Sequence, residues 1–199
     1  MEKNNFSLLR SKEIIAILDG DKDFGELTFE DKYGNETKIK IAMPYLSGPA
    51  ICELSSFFGL PATYSWSGGA LSRWQYFDNI MAFCIKQNRM SDFLSYLFSK
   101  DKFVDVLRDL SVKDIQSAHE AILQKVLEQI NSILYFGGHE LRVIGKVYQV
   151  CNVGEVVAVA APAVKIIDRA YIKDLAGRAN KDIDEGNFDS AITDRKSVV

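Results

Sequence analysis

The sequence predicts an α+β fold: a mostly helical domain carrying a β-hairpin and a small antiparallel meander. Three observations predict it. Ile115, Ala118, Ile122, Val126, Ile130 and Ile133 recur every three or four positions, which is the period of one helix face. Two alternating runs, 24–33 and 36–43, flank Gly34-Asn35, a pair suited to a tight hairpin turn. Three short β-rich runs, HELRVI, KVYQVC and EVVAVA, are separated by Gly145 and by Asn152-Val153-Gly154.

The elements follow in order. Residues 6–18 read as a first helix through Leu8, Leu9, Ile15 and Leu18, ended by Gly20. Leu27 and Phe29 share one face of the first strand, and Ile39 and Ile41 one face of the second. A helix is expected over 48–58, then a Gly/Ser-rich loop through SWSGG, then a helix over 70–86. In that last helix Trp74, Phe77, Met81 and Cys84 form a stripe with Ile80 and Phe83 beside it. So wide an apolar band implies burial on more than one side. Ser91 suits the cap of a short helix holding Phe93, Leu94 and Leu97. Phe103, Val106 and Leu107 suggest another. Ser111 with Asp114 marks a capping-box start for the long helix, and Gly137-Gly138 its stop. Beyond the meander, residues 166–184 space Ile167, Tyr171, Leu175, Ala179 and Ile183 four apart, a further helix ended by Gly186. The domain reading is therefore 1–162 for the first module and 163–193 for the opening of an all-α second one. The run DRKSVV, 194–199, abandons the apolar pattern and is expected to be a non-native tail.

With 199 residues, 47% of them hydrophobic, the chain holds enough material for one domain with a core plus a fragment. Charge is balanced along it. Residues 1–100 carry 11 Lys/Arg against 12 Asp/Glu, and 101–199 carry 13 against 15, so no general affinity for polyanions follows. Cys52, Cys84 and Cys151 are odd in number and far apart, which argues against a disulfide framework or zinc knuckle. The expectation is a soluble, cytoplasmic protein with reduced thiols. The N-terminal run lacks the apolar core of a signal peptide, and no stretch approaches about 18 uncharged apolar residues.

Between Ile41 and Ile85 only Glu53, Arg73 and Asp78 are charged, while aromatics are dense. Tyr64, Trp66, Arg73, Trp74 and Tyr76 form the most suggestive cluster. Rings around one cation stack on a base or nucleotide, and SWSGG before a helix start can present backbone amides to an anion. The competing reading places the rings in the core and pairs Arg73 with Glu53 or Asp78; helical spacing favours it. No P-loop and no Gly-x-Gly-x-x-Gly occurs, and Ser65 stands where a nucleophile elbow around Ser67 needs its first glycine. His119 and His139 lack partners at metal spacing, and His119-Glu120 reads as a solvated helix face. No catalytic residue, metal or cofactor is assigned.

Three segments carry two family resemblances. MPYLSGPAICELSSFFGL (43–60) and YSWSGGALSRWQYFDNIM (64–81) look like the N-terminal module of bacterial abortive-infection proteins of the AbiJ type. IDRAYIKDLAGRANKDIDEGNFDSAIT (167–193) resembles the opening of the abortive-infection C-terminal domain, and the two occur in the family's order. The resemblance implies antiviral defence: infected cells stop growing or die before the phage matures. It also implies a C-terminal domain similar to HEPN domains, helical modules that are often ribonucleases with an Arg followed closely by a His. Arg169 and Arg178 precede the region where that motif would fall, and no His follows His139, so no catalytic residue is carried over. On this reading the chain is the sensor or regulatory part of a phage-defence protein whose HEPN-like effector is not included. The partners implied are RNA or a phage-derived trigger, reached through the full-length protein, with no membrane partner and with homo-oligomers left open. The alternative is a non-enzymatic protein- or ligand-binding module.

Overall fold

The computed structural model describes residues 6–65, 71–145 and 147–154. The first helix, α1 (Lys12–Leu18), starts where the Ser11 hydroxyl accepts the Ile14 amide at 3.3 Å. That cap, rather than the earlier apolar residues, sets the boundary; residues 7–10 form turns. Gly20 ends the helix with φ +81°. The strands β1 (Asp23–Glu30) and β2 (Glu36–Ala42) pair antiparallel, with Leu27 opposite Ile39. The expected tight turn at Gly34-Asn35 is instead a loop over 31–35. Asp31 organises it: one carboxylate oxygen accepts the amides of Tyr33 and Asn35 at 2.8 Å each.

Helix α2 (Gly48–Phe57) is capped by Ser47, whose hydroxyl accepts the Ala50 amide at 3.4 Å. Helix α3 (Arg73–Lys86) begins three residues later than its apolar pattern suggests, because Gln75 reaches back to the Ser72 amide at 2.7 Å. It buries Phe77, Ile80, Met81 and Cys84. Helix α4 (Met90–Leu97) has Arg89 rather than Ser91 at its N-cap, so Ser91 lies in its first turn. A 3-10 turn, Lys100–Phe103, leads into the single-turn α5 (Val104–Leu107).

The long helix α6 (Val112–Leu134) is the axis of the core: Ala118, Ile122, Val126, Ile130 and Leu134 are completely buried. Its capping pair behaves differently from the expectation. Ser111 donates to the Asp114 carboxylate at 2.8 Å, and that carboxylate accepts the Glu30 amide at 3.4 Å, tying the helix start to β1. Gly138, at φ +74°, leads into β3 (His139–Ile144), paired antiparallel with β4 (Val147–Asn152). Asn131 of α6 holds the edge of β3, donating to the Leu141 carbonyl at 3.0 Å and accepting its amide at 2.6 Å. The Tyr148 ring lies 4.6 Å from that of Phe98, which sets the hairpin against the end of α4.

The fold class is α+β, with two separate two-stranded sheets among the described residues. The expected third meander run at 155–160, the helix at 166–184 and the domain boundary at 162–163 lie outside those residues. Among the described residues no helix is long and apolar enough to cross a membrane.

Candidate recognition cleft

The charge-poor stretch 41–85 holds three charges, and their partners define the site. Arg73 at the start of α3 pairs neither with Glu53 nor with Asp78. Its guanidinium lies 3.1 Å from the buried Asp19 carboxylate, contacts Asp21, and donates to the carbonyls of Leu46 at 2.6 Å and Asp19 at 3.3 Å. The Tyr45 ring covers it at 4.6 Å. Asp19 is 1% exposed and sits just past the end of α1, so the tertiary fold, not helical spacing, chose this pair. One Asp19 oxygen accepts the Asp21 amide at 3.2 Å; the other faces Arg73 without an aligned hydrogen bond. Burial pushes the Asp19 carboxyl up to about 6, against the pull of Arg73. Asp78 forms a two-pronged pair with Arg10 at 2.7 Å. Glu53, on the exposed face of α2, has no ion pair or hydrogen bond among the described residues.

The aromatic members of the expected cluster go to different partners. Tyr64 and Tyr76 have ring centroids 5.5 Å apart, and the Tyr76 hydroxyl donates to the Thr63 carbonyl at 3.2 Å. The Tyr64 ring lies across Gly48, where a Cβ would stand 2.1 Å from it. Trp74, 37% exposed, turns toward α1, with the Lys12 ammonium 5.5 Å from its ring. Trp66 lies outside the described residues. The structure thus brings Tyr64 and Tyr76 together and uses Arg73 as a bracket between α1, the 44–47 turn and α3.

Beside that bracket opens a cleft of about 370 Å³. Leu18, Met43, Pro44 and Leu46 form one side, and Ala50, Glu53, Leu54 and Phe57 of α2 another. Tyr96, Leu97 and Lys102 close the third. The Lys102 ammonium sits 2.9 Å from the Asp101 carboxylate and 3.9 Å from the centre of the Tyr96 ring, so its charge is already matched. Phe57 stacks on Tyr96 at 4.9 Å yet stays 64% exposed at the mouth. A more open groove of about 480 Å³ on the other flank of α2, lined by Pro49, Cys52, Ser56 and Tyr64 among others, shares Glu53 with the cleft. No spacing rule joins residues 43–57 to 96–102. The one legible signal was Glu53, the only charged residue between Ile41 and Ser72.

His119 and the thiols of Cys52 and Cys84 sit in surroundings that do not activate them. His119 does not lie on a solvated face: it is buried, its Nε2 is 3.0 Å from the Phe98 carbonyl, and its ring packs edge-on to Phe103 at 4.8 Å. Four-residue periodicity runs through position 119 because it faces α4 and the 3-10 turn. Burial lowers its pKa and favours the neutral ring. Burial also raises the Cys52 thiol and pushes Cys84 up to about 11, the reverse of what an activated thiolate needs. Among the described residues no group of three or more His, Cys, Asp or Glu is placed to hold a metal. Set against known proteins, the chain matches no family model, no curated protein and no solved structure.

Proposed function

We propose that residues 6–154 form the recognition module of a phage-defence protein of the abortive-infection kind, with recognition made at the cleft beside α2. One observation supports the reading most. The segment 43–60, which carries the N-terminal family resemblance, supplies seven of the eleven residues lining the cleft. The chemistry of the cleft suits binding rather than catalysis. Its walls are apolar, its one lysine is paired, and no base–nucleophile couple faces it. RNA cleavage is assigned in this proposal to a HEPN-like domain and not to these residues. The runner-up is a binding module of unrelated purpose with the same cleft.

The test is a plaque assay with the gene expressed from its native locus. Phe57→Ala combined with Tyr96→Ala strips two rings from the mouth of the cleft. The double variant should fold, shown by thermal melting, and should lose protection, with cellular RNA left intact after infection. Unchanged protection by a folded double variant removes recognition from the cleft. Loss of protection in the parent gene as well removes the defence reading and leaves the runner-up.

A further inference from the structure

Taking the cleft as a recognition surface, we infer that its occupant is a polypeptide segment in which an apolar side chain is followed closely by a Lys or Arg. Glu53 is the residue that reads the cation. The inference rests on the proposed role of the cleft and on three observations. First, of the three charges in the stretch 41–85, Arg73 and Asp78 are consumed by Asp19, Asp21 and Arg10, whereas Glu53 is left open at the border of both grooves. Secondly, the one cation in the lining, Lys102, is paired with Asp101, whereas Glu53 has no partner among the described residues, so the open charge at the cleft is negative and suits an incoming ammonium or guanidinium. Thirdly, the cleft is small and its mouth is aromatic. About 370 Å³ lies at the lower end of small-molecule pockets, and Phe57 in its lining stays 64% exposed beside Tyr96. Exposed rings at a rim are covered by a surface wider than a compact ligand, as in interfaces where one anchor side chain fills a pocket.

The test uses the 199-residue chain and four blocked pentapeptides. They are Gly-Leu-Leu-Lys-Gly, its Gln and Glu counterparts at the fourth position, and Gly-Ser-Ser-Lys-Gly. Binding is read from methyl shifts of Met43, Leu46 and Leu54 in NMR titrations. The Leu-Leu-Lys peptide should bind about two- to five-fold tighter than the Gln form, the range of one exposed ion pair. The preference should fade at 1 M salt. Glu53→Lys should reverse the order so that the Glu peptide binds tighter. Equal binding of the three leucine peptides, with the methyl shifts intact, overturns the charge-reading role and keeps the cleft as an apolar site. Equal binding of the Ser-Ser-Lys peptide shows charge attraction without an anchor and overturns the inference. Absence of methyl shifts with every peptide overturns both the occupant and the cleft's recognition role.

Discussion

The Asp19 carboxylate, 1% exposed, faces the Arg73 guanidinium at 3.1 Å across 54 residues of chain. The same guanidinium donates to the Leu46 carbonyl at 2.6 Å, and the Leu46 amide donates to the Asp19 carbonyl at 2.9 Å. Leu18 and Leu46, immediately beside these atoms, line the cleft. The ion pair therefore sets one wall of the cleft without entering it.

Removing the cation alone should be costly. Arg73→Met leaves the Asp19 charge buried and unpaired, and breaking a buried pair from one side typically costs about 3–5 kcal/mol. Asp21 is half exposed and loses less. Adding Asp19→Asn to Arg73→Met should recover most of the loss in denaturant unfolding. A single Arg73→Met variant as stable as the parent would show that the pair does not brace the wall.

Asp19 also gives a pH dependence of definite sign. Its folded pKa, about 6, lies above the ordinary carboxylate value, so between about pH 4 and 6 the folded state binds more protons than the unfolded one. Its contribution is favourable at low pH and is lost as pH rises through that window, by about 2–3 kcal/mol at most. The stability difference between the parent and Asp19→Asn should therefore shift in favour of Asn as pH rises from 4 to 7. Parallel stability curves for the two proteins would reject it.

His119 acts in the opposite direction. Burial lowers its folded pKa, so the unfolded chain takes up the proton first and stability falls as pH drops below about 6.5. His119→Gln, which keeps a donor for the Phe98 carbonyl, should remove this component between pH 7 and 5. Thermal melting across that range checks it, and an unchanged slope would place the protonation elsewhere.

Gly20 should tolerate no side chain. It combines φ +81° with a space where a Cβ would stand 2.6–2.7 Å from backbone atoms of Pro44 and Tyr45. Gly20→Ala should cost about 2–4 kcal/mol from left-handed strain and overpacking together. The displaced 44–46 turn should also weaken binding at the cleft. A melting temperature equal to the parent's would mean the turn can retreat freely.

Asn131→Ala should loosen β3 while leaving α6 intact. Two hydrogen bonds to the Leu141 backbone disappear together, a loss of about 1–3 kcal/mol. Hydrogen exchange should speed up at the Leu141 amide and not at Ile122 or Val126. Uniform acceleration along α6 would show that the hairpin and helix open as one unit.

Local pattern was enough for the α+β class and for most elements. The period of α6, the alternation in β1 and β2, and the glycine stops at Gly20 and Gly138 are properties of neighbouring residues, so a linear chain displays them. Helix starts were less legible, because side chains such as Gln75 and Asp114 choose between partners that the spacing alone leaves equivalent. Long-range pairing was decided only in three dimensions. Arg73 had nearby acids at Glu53 and Asp78, yet burial of Asp19 and the turn at 44–47 gave it a partner 54 positions away. His119 shows the same limit: its burial depends on where Phe98 and Phe103 come to rest. The sequence by itself determined the fold class, most elements with their apolar faces, and Glu53 as the only charge between Ile41 and Ser72. Only the tertiary structure brought Tyr96 and Lys102 across from α2 and made a cleft beside that acid, because a cavity arises from packing between distant segments and leaves no period in the chain.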